Sequence, residues 1–389
     1  MNIRLLAAIA FSLLLLQGCS GKEKETVWGI FNEPVKREEL PEPVGAEELS
    51  IAWKNGVGDA GEDGYALLHP AVDARGIYVA NRDGDVLGLD PGSGKPLWQR
   101  DLKRPVYAAV GLGEGLVLAG MEDGFVVALS AADGTLKWEA DIRRQISAIP
   151  AAGSERVVVR TAGGLVIGLD AADGSRVWEV QRNVSGLGLH GDSMPLISGG
   201  TVITGFSNGR IIANAVINGR DYWETDISFV GGTSELDRLA DIDATPVLSG
   251  TSLYAATYQG DVVAVDIQNS FVRWRRDIST RLPMAVDAGQ IFVTGSLGDI
   301  VALDADSGGV LWRQNAFRGY GMTNPLVFDS RVVVGDASGF VHLLDRADGT
   351  LLQSLKLDRS AITGLARQGE SVVAVSVDGT VVSVGFTGS

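Results

Sequence analysis

The sequence predicts an all-β chain folded as an eight-bladed β-propeller with four antiparallel strands per blade, and three observations carry that prediction. A glycine opening a short apolar run recurs eight times, at Gly84, Gly124, Gly164, Gly209, Gly260, Gly298, Gly339 and Gly379. Fourteen residues after it stand Trp98, Trp138, Trp178, Trp223, Trp274, Trp312 and, in the seventh copy, Gln353. Between these markers lie turn-forming residues at fixed places. A period near 40 with a constant internal offset marks a repeat architecture.

The elements of one unit follow in order. Apolar runs such as Gly76-Ile77-Tyr78-Val79-Ala80 precede the glycine, which lies in a hairpin turn signalled by Asp83-Gly84 and Asp123-Gly124. The next run, Asp85-Val86-Leu87-Gly88-Leu89-Asp90 or Asp299-Ile300-Val301-Ala302-Leu303-Asp304, is apolar on both faces, so it belongs to a sheet covered on both sides. Four residues after the glycine the side chain is mostly small: Gly88, Ala128, Gly168, Ala213, Ala264 and Ala302, then Leu343 and Ser383. That pattern suits close approach of a neighbouring sheet. A second turn, Pro91-Gly92-Ser93-Gly94 or Ala131-Ala132-Asp133-Gly134, uses residues that tolerate positive φ or bond their own backbone. The tryptophan strand then returns. With the run before each unit, such as Thr245-Pro246-Val247-Leu248-Ser249, the count is four strands per unit, a propeller blade.

The eighth unit reaches Ser389 before its tryptophan is due. Ile51-Ala52-Trp53-Lys54 is a tryptophan strand with no unit before it. The N-terminal strand is therefore expected to join the C-terminal blade and close the ring, which removes exposed sheet edges.

The repeat resembles the tryptophan-docking repeat of quinoprotein (PQQ-type) propellers, seen in Leu89-Asp90-Pro91-Gly92-Ser93-Gly94-Lys95-Pro96-Leu97-Trp98 and in the matching segment that ends at Trp312. The resemblance spans nearly all of residues 50 to 386. It implies that each tryptophan packs between neighbouring blades. It says little about function, because one fold hosts many activities.

Residues 1–18 read as a signal peptide, with Arg4 before an apolar run from Leu5 to Leu16 that is too short to span a bilayer. Leu16-Gln17-Gly18-Cys19 resembles the bacterial lipobox, which implies acylation of Cys19. Cys19 is the only cysteine, so no disulfide forms within one chain. Ser20 after it implies sorting to the outer membrane, facing the periplasm, and several acyl chains give stable anchoring. Residues 19–48 are charged and proline-rich, as in Pro41-Glu42-Pro43, and read as an acylated N-terminus and flexible tether. Residues 49–389 are the propeller.

A formal net charge of −15 argues against nucleic acid as a partner and suits a soluble acidic domain or a basic protein partner. The sequence predicts no enzyme and no cofactor. Quinoprotein dehydrogenases use an adjacent cysteine pair beside their quinone, and this chain lacks one. The three histidines, His69, His190 and His342, form no HxxxH pattern, and His342 in an inner apolar run reads as structural. Asp241 and Asp243 lie on one face of an extended segment, but two carboxylates fall short of the six or more oxygens a hard cation takes. A solvated turn is the simpler expectation.

The glycine spacings, 40, 40, 45, 51, 38, 41 and 40, point to function instead. Two consecutive units carry extra residues, at 183–193 and 229–243, and insertions in a repeat array map to loops on one face. In the first, Leu187 and Leu189 alternate with glycines as an exposed apolar ridge or fold back over the blade. The segments Gly186-Leu187-Gly188-Leu189-His190-Gly191-Asp192-Ser193 and Ser234-Glu235-Leu236-Asp237-Arg238-Leu239-Ala240-Asp241-Ile242-Asp243 resemble the BamB family of outer-membrane assembly lipoproteins. The resemblance implies a non-catalytic scaffold that binds the periplasmic POTRA domains of BamA and assists insertion of outer-membrane β-barrels. It implies partner contacts at Leu187, Leu189, His190, Asp241 and Asp243. His190 stands where the family has a basic residue, so its charge there depends on pH. A quinone-dependent dehydrogenase, disfavoured by the missing cysteine pair, and a propeller that binds nascent barrel segments are the alternatives.

Overall fold

The computed structural model describes residues 37–45, 48–58, 69–107, 109–184, 193–227, 242–257 and 260–387. Among them, eight four-stranded antiparallel sheets form the blades of a propeller. Blade 1 consists of Ala71–Val72, Ile77–Ala80, Asp85–Leu89 and Pro96–Asp101. Blades 2 to 7 repeat the plan over 111–141, 151–181, 196–226, 247–277, 285–314 and 326–356. Blade 8 takes Ile362–Gln368, Ser371–Ser376 and Thr380–Thr387 from the C-terminal region and its outer strand, Glu48–Gly56, from the N-terminal region. The predicted strand exchange is therefore present, with Trp53 opposite Ser383.

The chemistry of the strands explains where they lie. The second and third strands of each blade are Val/Ile-rich and buried on both faces, as in Leu116–Gly120 and Phe125–Ser130. Their side chains make apolar layers between blades. Leu118 and Ala128 of blade 2, for example, share a cluster with Val157, Val159 and Ile167 of blade 3. The fourth strand is the wettest of the blade, and Pro96–Asp101 buries only Trp98.

Six of the described tryptophans, Trp53, Trp98, Trp138, Trp178, Trp274 and Trp312, hydrogen-bond to the next blade. The indole N–H of Trp98 donates to Ala131 O at 3.1 Å, that of Trp138 to Ala171 O at 2.9 Å, and that of Trp312 to Arg346 O at 2.8 Å. In the closing blade Trp53 donates to Pro91 O of blade 1 at 2.9 Å. A buried tryptophan contributes large apolar area and needs a partner for its N–H, and the neighbouring turn supplies both.

The small residue four positions after the glycine has a different purpose from the close approach of a neighbouring sheet. It is the cross-strand partner of the tryptophan in its own blade: Gly88 pairs with Trp98, Ala128 with Trp138 and Ala302 with Trp312. A Cβ at Gly88 would lie 2.5 Å from the Trp98 ring, so the indole folds across the strand that carries the glycine. A β-bulge follows at once in the seven consecutive blades, between Gly88 and Leu89 in blade 1. It turns the residue before the tryptophan outward, and Leu97, Val177, Tyr222 and Leu311 are exposed.

Residues 37–45 belong by composition to the tether, yet they lie against blades 6 and 7. Arg37 Nε donates to Gly319 O at 2.9 Å, and the Tyr320 hydroxyl donates to Glu38 O at 2.6 Å. Leu40 packs on the cluster that contains Phe317 and Leu351. The Val44 and Gly45 amides donate to Leu351 O and Leu352 O at 3.1 and 2.9 Å. These bonds come from backbone groups and one arginine, which composition does not register.

Candidate functional site

The recurring glycines define one end of the ring. Gly84 has a φ of 107°, which a side chain would disfavour, and a Cβ there would lie 2.4 Å from Arg104 O. Its own carbonyl accepts the amide of Leu102, the first residue of the connection to blade 2, at 2.9 Å. The same bond recurs from Ile142 to Gly124, from Arg182 to Gly164 and from Ile227 to Gly209, at 2.9 to 3.0 Å. The glycine turns and the connections between blades therefore share one end.

Two of those connections are the over-long segments, now bounded as 182–195 and 227–246. A third connection, 57–70, is as long as the first and leads from the closing strand to blade 1 on the same end, where the Val57 amide donates to Gly379 O at 2.8 Å. The glycine spacing could not reveal it, because that interval straddles the strand exchange.

Of the sequence-predicted site residues, Cys19, Leu187, Leu189, His190 and Asp241 lie outside the described residues. Asp243 lies within them and corrects the expectation of a solvated turn. It is 9% exposed, its Oδ1 is fully enclosed, and its neighbours Ile242 and Ala244 are completely buried. Asp243 is thus part of the stem of its loop.

The stems of the two connections meet. Met194 donates its amide to Thr245 Oγ1 at 3.1 Å, and Ser193 Oγ donates to Ala244 O at 3.4 Å. Ile242 packs so closely on blade 4 that a Cβ at Gly205 would fall 2.5 Å from its Cγ2. The points at which the two successive connections rejoin the ring therefore lie side by side.

Other chemistry-bearing groups lie elsewhere. A cavity of about 640 Å³ is lined by residues of the innermost strands of blades 6, 7, 8 and 1, with His69, Asn324, Arg346 and Arg367 among its walls. Its charges are already engaged: Arg346 pairs with Asp287 at 2.5 Å, and Arg367 with Asp329 at 3.2 Å. Burial lowers the pKa of His69, against the opposing effect of its hydrogen bond to Pro70 O. In blade 7, His342 Nδ1 lies 2.8 Å from Ser354 Oγ and Nε2 lies 3.3 Å from Asp336 Oδ2. This order resembles a nucleophile relay, but His342 and Asp336 are sealed beneath Phe317 and Phe340. Asp336 also accepts the amides of Ser338 and Phe340 at 2.8 Å, so the trio holds a turn together. Among the described residues, no group of three or more His, Cys, Asp or Glu is arranged to hold a metal ion.

Comparison with known proteins gives the family. The family model described as "Outer membrane protein assembly factor BamB" matches residues 82–298 and 296–387. The chain is 45% identical over 356 residues to Outer membrane protein assembly factor BamB of Pseudomonas aeruginosa, covering 92% of each chain. It superimposes on the crystal structure of BamB from Moraxella catarrhalis with a TM-score of 0.78 at 27% identity, over 87% of this chain and all of that one. The quinohemoprotein alcohol dehydrogenase of Comamonas testosteroni shares the fold, with a TM-score of 0.71 at 14% identity over 86% of this chain and 76% of that one. With a matched model over most of its length and a relative this similar from end to end, the chain belongs to the outer membrane protein assembly factor BamB family.

Proposed function

We propose that the protein is a non-catalytic scaffold of outer-membrane protein assembly, anchored to the outer membrane through acylated Cys19 and facing the periplasm. It holds BamA by its POTRA domains and assists the folding and insertion of outer-membrane β-barrels. The observation that carries this reading is the contact between the stems of two successive over-long blade connections, at Ser193–Met194 and Ala244–Thr245, in a family named for outer-membrane protein assembly. Leu187 and Leu189 supply the apolar anchor, and His190 and Asp241 supply polar groups that set orientation. Asp243 supports the second loop from its buried stem.

Co-purification tests the reading. The acylated protein, extracted from membranes in mild detergent, is expected to bring BamA with it. The Leu187→Ala/Leu189→Ala/Asp241→Ala variant is expected to leave BamA behind while remaining folded. Retention of BamA by that variant would remove the paired loops from the account.

A further inference from the structure

The contacts at the stems of the two connections form a chain from blade 3 to the entries of blades 4 and 5. Arg160 of blade 3 is 4% exposed, lies 5.6 Å from the Phe206 ring, and donates Nη1 to Ser193 O at 3.4 Å. Ser193, fully buried where the first loop rejoins the ring, passes the connection on through Oγ to Ala244 O. One residue later, the Met194 amide is received by Thr245 Oγ1. Blade 3, the stem of the first loop and the stem of the second are therefore joined by side chains that need not touch any partner.

We propose that Ser193 and Thr245 are positioning residues for partner binding, setting the spacing between the two loops. The inference rests on the preceding reading of those loops as the partner contact. Its physical basis is preorganisation. An interface made by two separate loops must fix their relative placement on association, and a lock at their stems removes part of that ordering cost beforehand. A contact group displaced by a loosened stem loses affinity although every contacting side chain is still present.

A hydroxyl is required at position 245 because it accepts the Met194 amide. Valine has nearly the same shape and cannot accept. Ordinary stitching of blades makes a suitable comparison elsewhere in the ring: Thr294 Oγ1 donates to Thr323 O at 2.7 Å where blade 6 meets the entry to blade 7, away from the two long connections. A variant there disturbs a cross-blade hydroxyl bond without disturbing the loop pair.

The test is a binding isotherm between the full propeller and the POTRA domains of its cognate BamA, with a thermal melt of each variant. Thr245→Val is expected to weaken binding about tenfold, which corresponds to a loss of about 1.4 kcal/mol. Thr245→Ser is expected to bind within about twofold of the parent, and Ser193→Ala to show a milder loss of about threefold, on the same affinity scale. Thr294→Val should lower the melting temperature and leave affinity unchanged. If Leu187→Ala/Leu189→Ala weakens binding while Thr245→Val and Ser193→Ala bind as tightly as the parent, the positioning role is wrong and the contact reading stands. If Thr294→Val weakens binding as much as Thr245→Val, the effect is general loosening and the positioning role is wrong. If Leu187→Ala/Leu189→Ala binds normally, the contact reading itself fails and takes this inference with it.

Discussion

Leu343 faces Gln353 across the third and fourth strands of blade 7, at the position where blades 1 to 6 pair a glycine or alanine with a tryptophan. The double change follows from how the ring closes. A docking tryptophan needs the turn between the third and fourth strands of the next blade, and in blade 8 those strands come from opposite regions of the chain. No such turn links them, so both halves of the docking pair are replaced together. Gln353→Trp should therefore destabilise the fold, by about 1–3 kcal/mol as an overpacked core does, and adding Leu343→Gly should recover part of the loss. Urea midpoints of the single and double variants check this. Recovery is the informative result, because it separates a crowded ring from a generally intolerant strand.

The segment that lies against blade 7 makes a second expectation. Residues 37–45 run past Tyr320 to Leu352, whose carbonyl lies at the β-bulge of that blade and accepts the Gly45 amide. Tyr320→Phe removes the hydroxyl bond to Glu38 O and should cost about 1 kcal/mol, a fall of about 1–2 degrees in melting temperature for a domain of this size. Removing residues 37–45 should cost more. Calorimetry on the three forms checks the order, parent above Tyr320→Phe above the deletion.

Acid should weaken the closing blade through Asp358. Burial favours its protonated form, but hydrogen bonds from Thr380, the Arg359 amide at 2.8 Å and Ser376 Oγ at 2.9 Å, together with Lys54 at 3.4 Å, hold the carboxyl well below the usual carboxylate range. A carboxyl depressed in the folded state lets the unfolded chain take up its proton first. The stabilisation is therefore complete above the unfolded value, about pH 4, and is lost as pH falls below it. Lys54 lies on the exchanged strand, so this ion pair fastens ring closure directly. Asp358→Asn should lower stability at neutral pH by about 1.5–3 kcal/mol, with the gap from the parent shrinking toward pH 3. A gap that stays constant from pH 7 to pH 3 would show that the charge is irrelevant.

Asp241 and Asp243 should behave differently although they are two residues apart. Asp243 is enclosed at the stem between the buried Ile242 and Ala244, and truncating it to alanine leaves a gap there, at a cost of about 1–3 kcal/mol. Asp243→Ala is expected to lower the melting temperature as well as partner affinity. Asp241→Ala is expected to lower affinity alone, so it is the cleaner probe.

What the sequence disclosed and what it concealed divide along physical lines. Blade count, strand order and closure by Trp53 were legible because a propeller repeats one set of turns and docking contacts, which fixes offsets such as that from Gly84 to Trp98. The reason Gly88 is small was not legible, because a cross-strand indole and a neighbouring sheet ask for the same lack of side chain. The order in residues 37–45 was hidden for another reason: charged and proline-rich residues carry no apolar period, and backbone amides hold this segment. Asp243 looked solvated because an aspartate in a long loop usually is. Its burial comes from Ile242 and Ala244 on either side, which anchor the stem beneath the loop.

Whether the two over-long connections hold BamA is decided by calorimetric titration of the propeller with the POTRA domains of its cognate BamA, comparing the parent with Leu187→Ala/Leu189→Ala. The variant should bind at least about tenfold more weakly, as expected when apolar anchors are truncated, with an unchanged melting temperature. Equal affinity for the parent and the folded variant would contradict it.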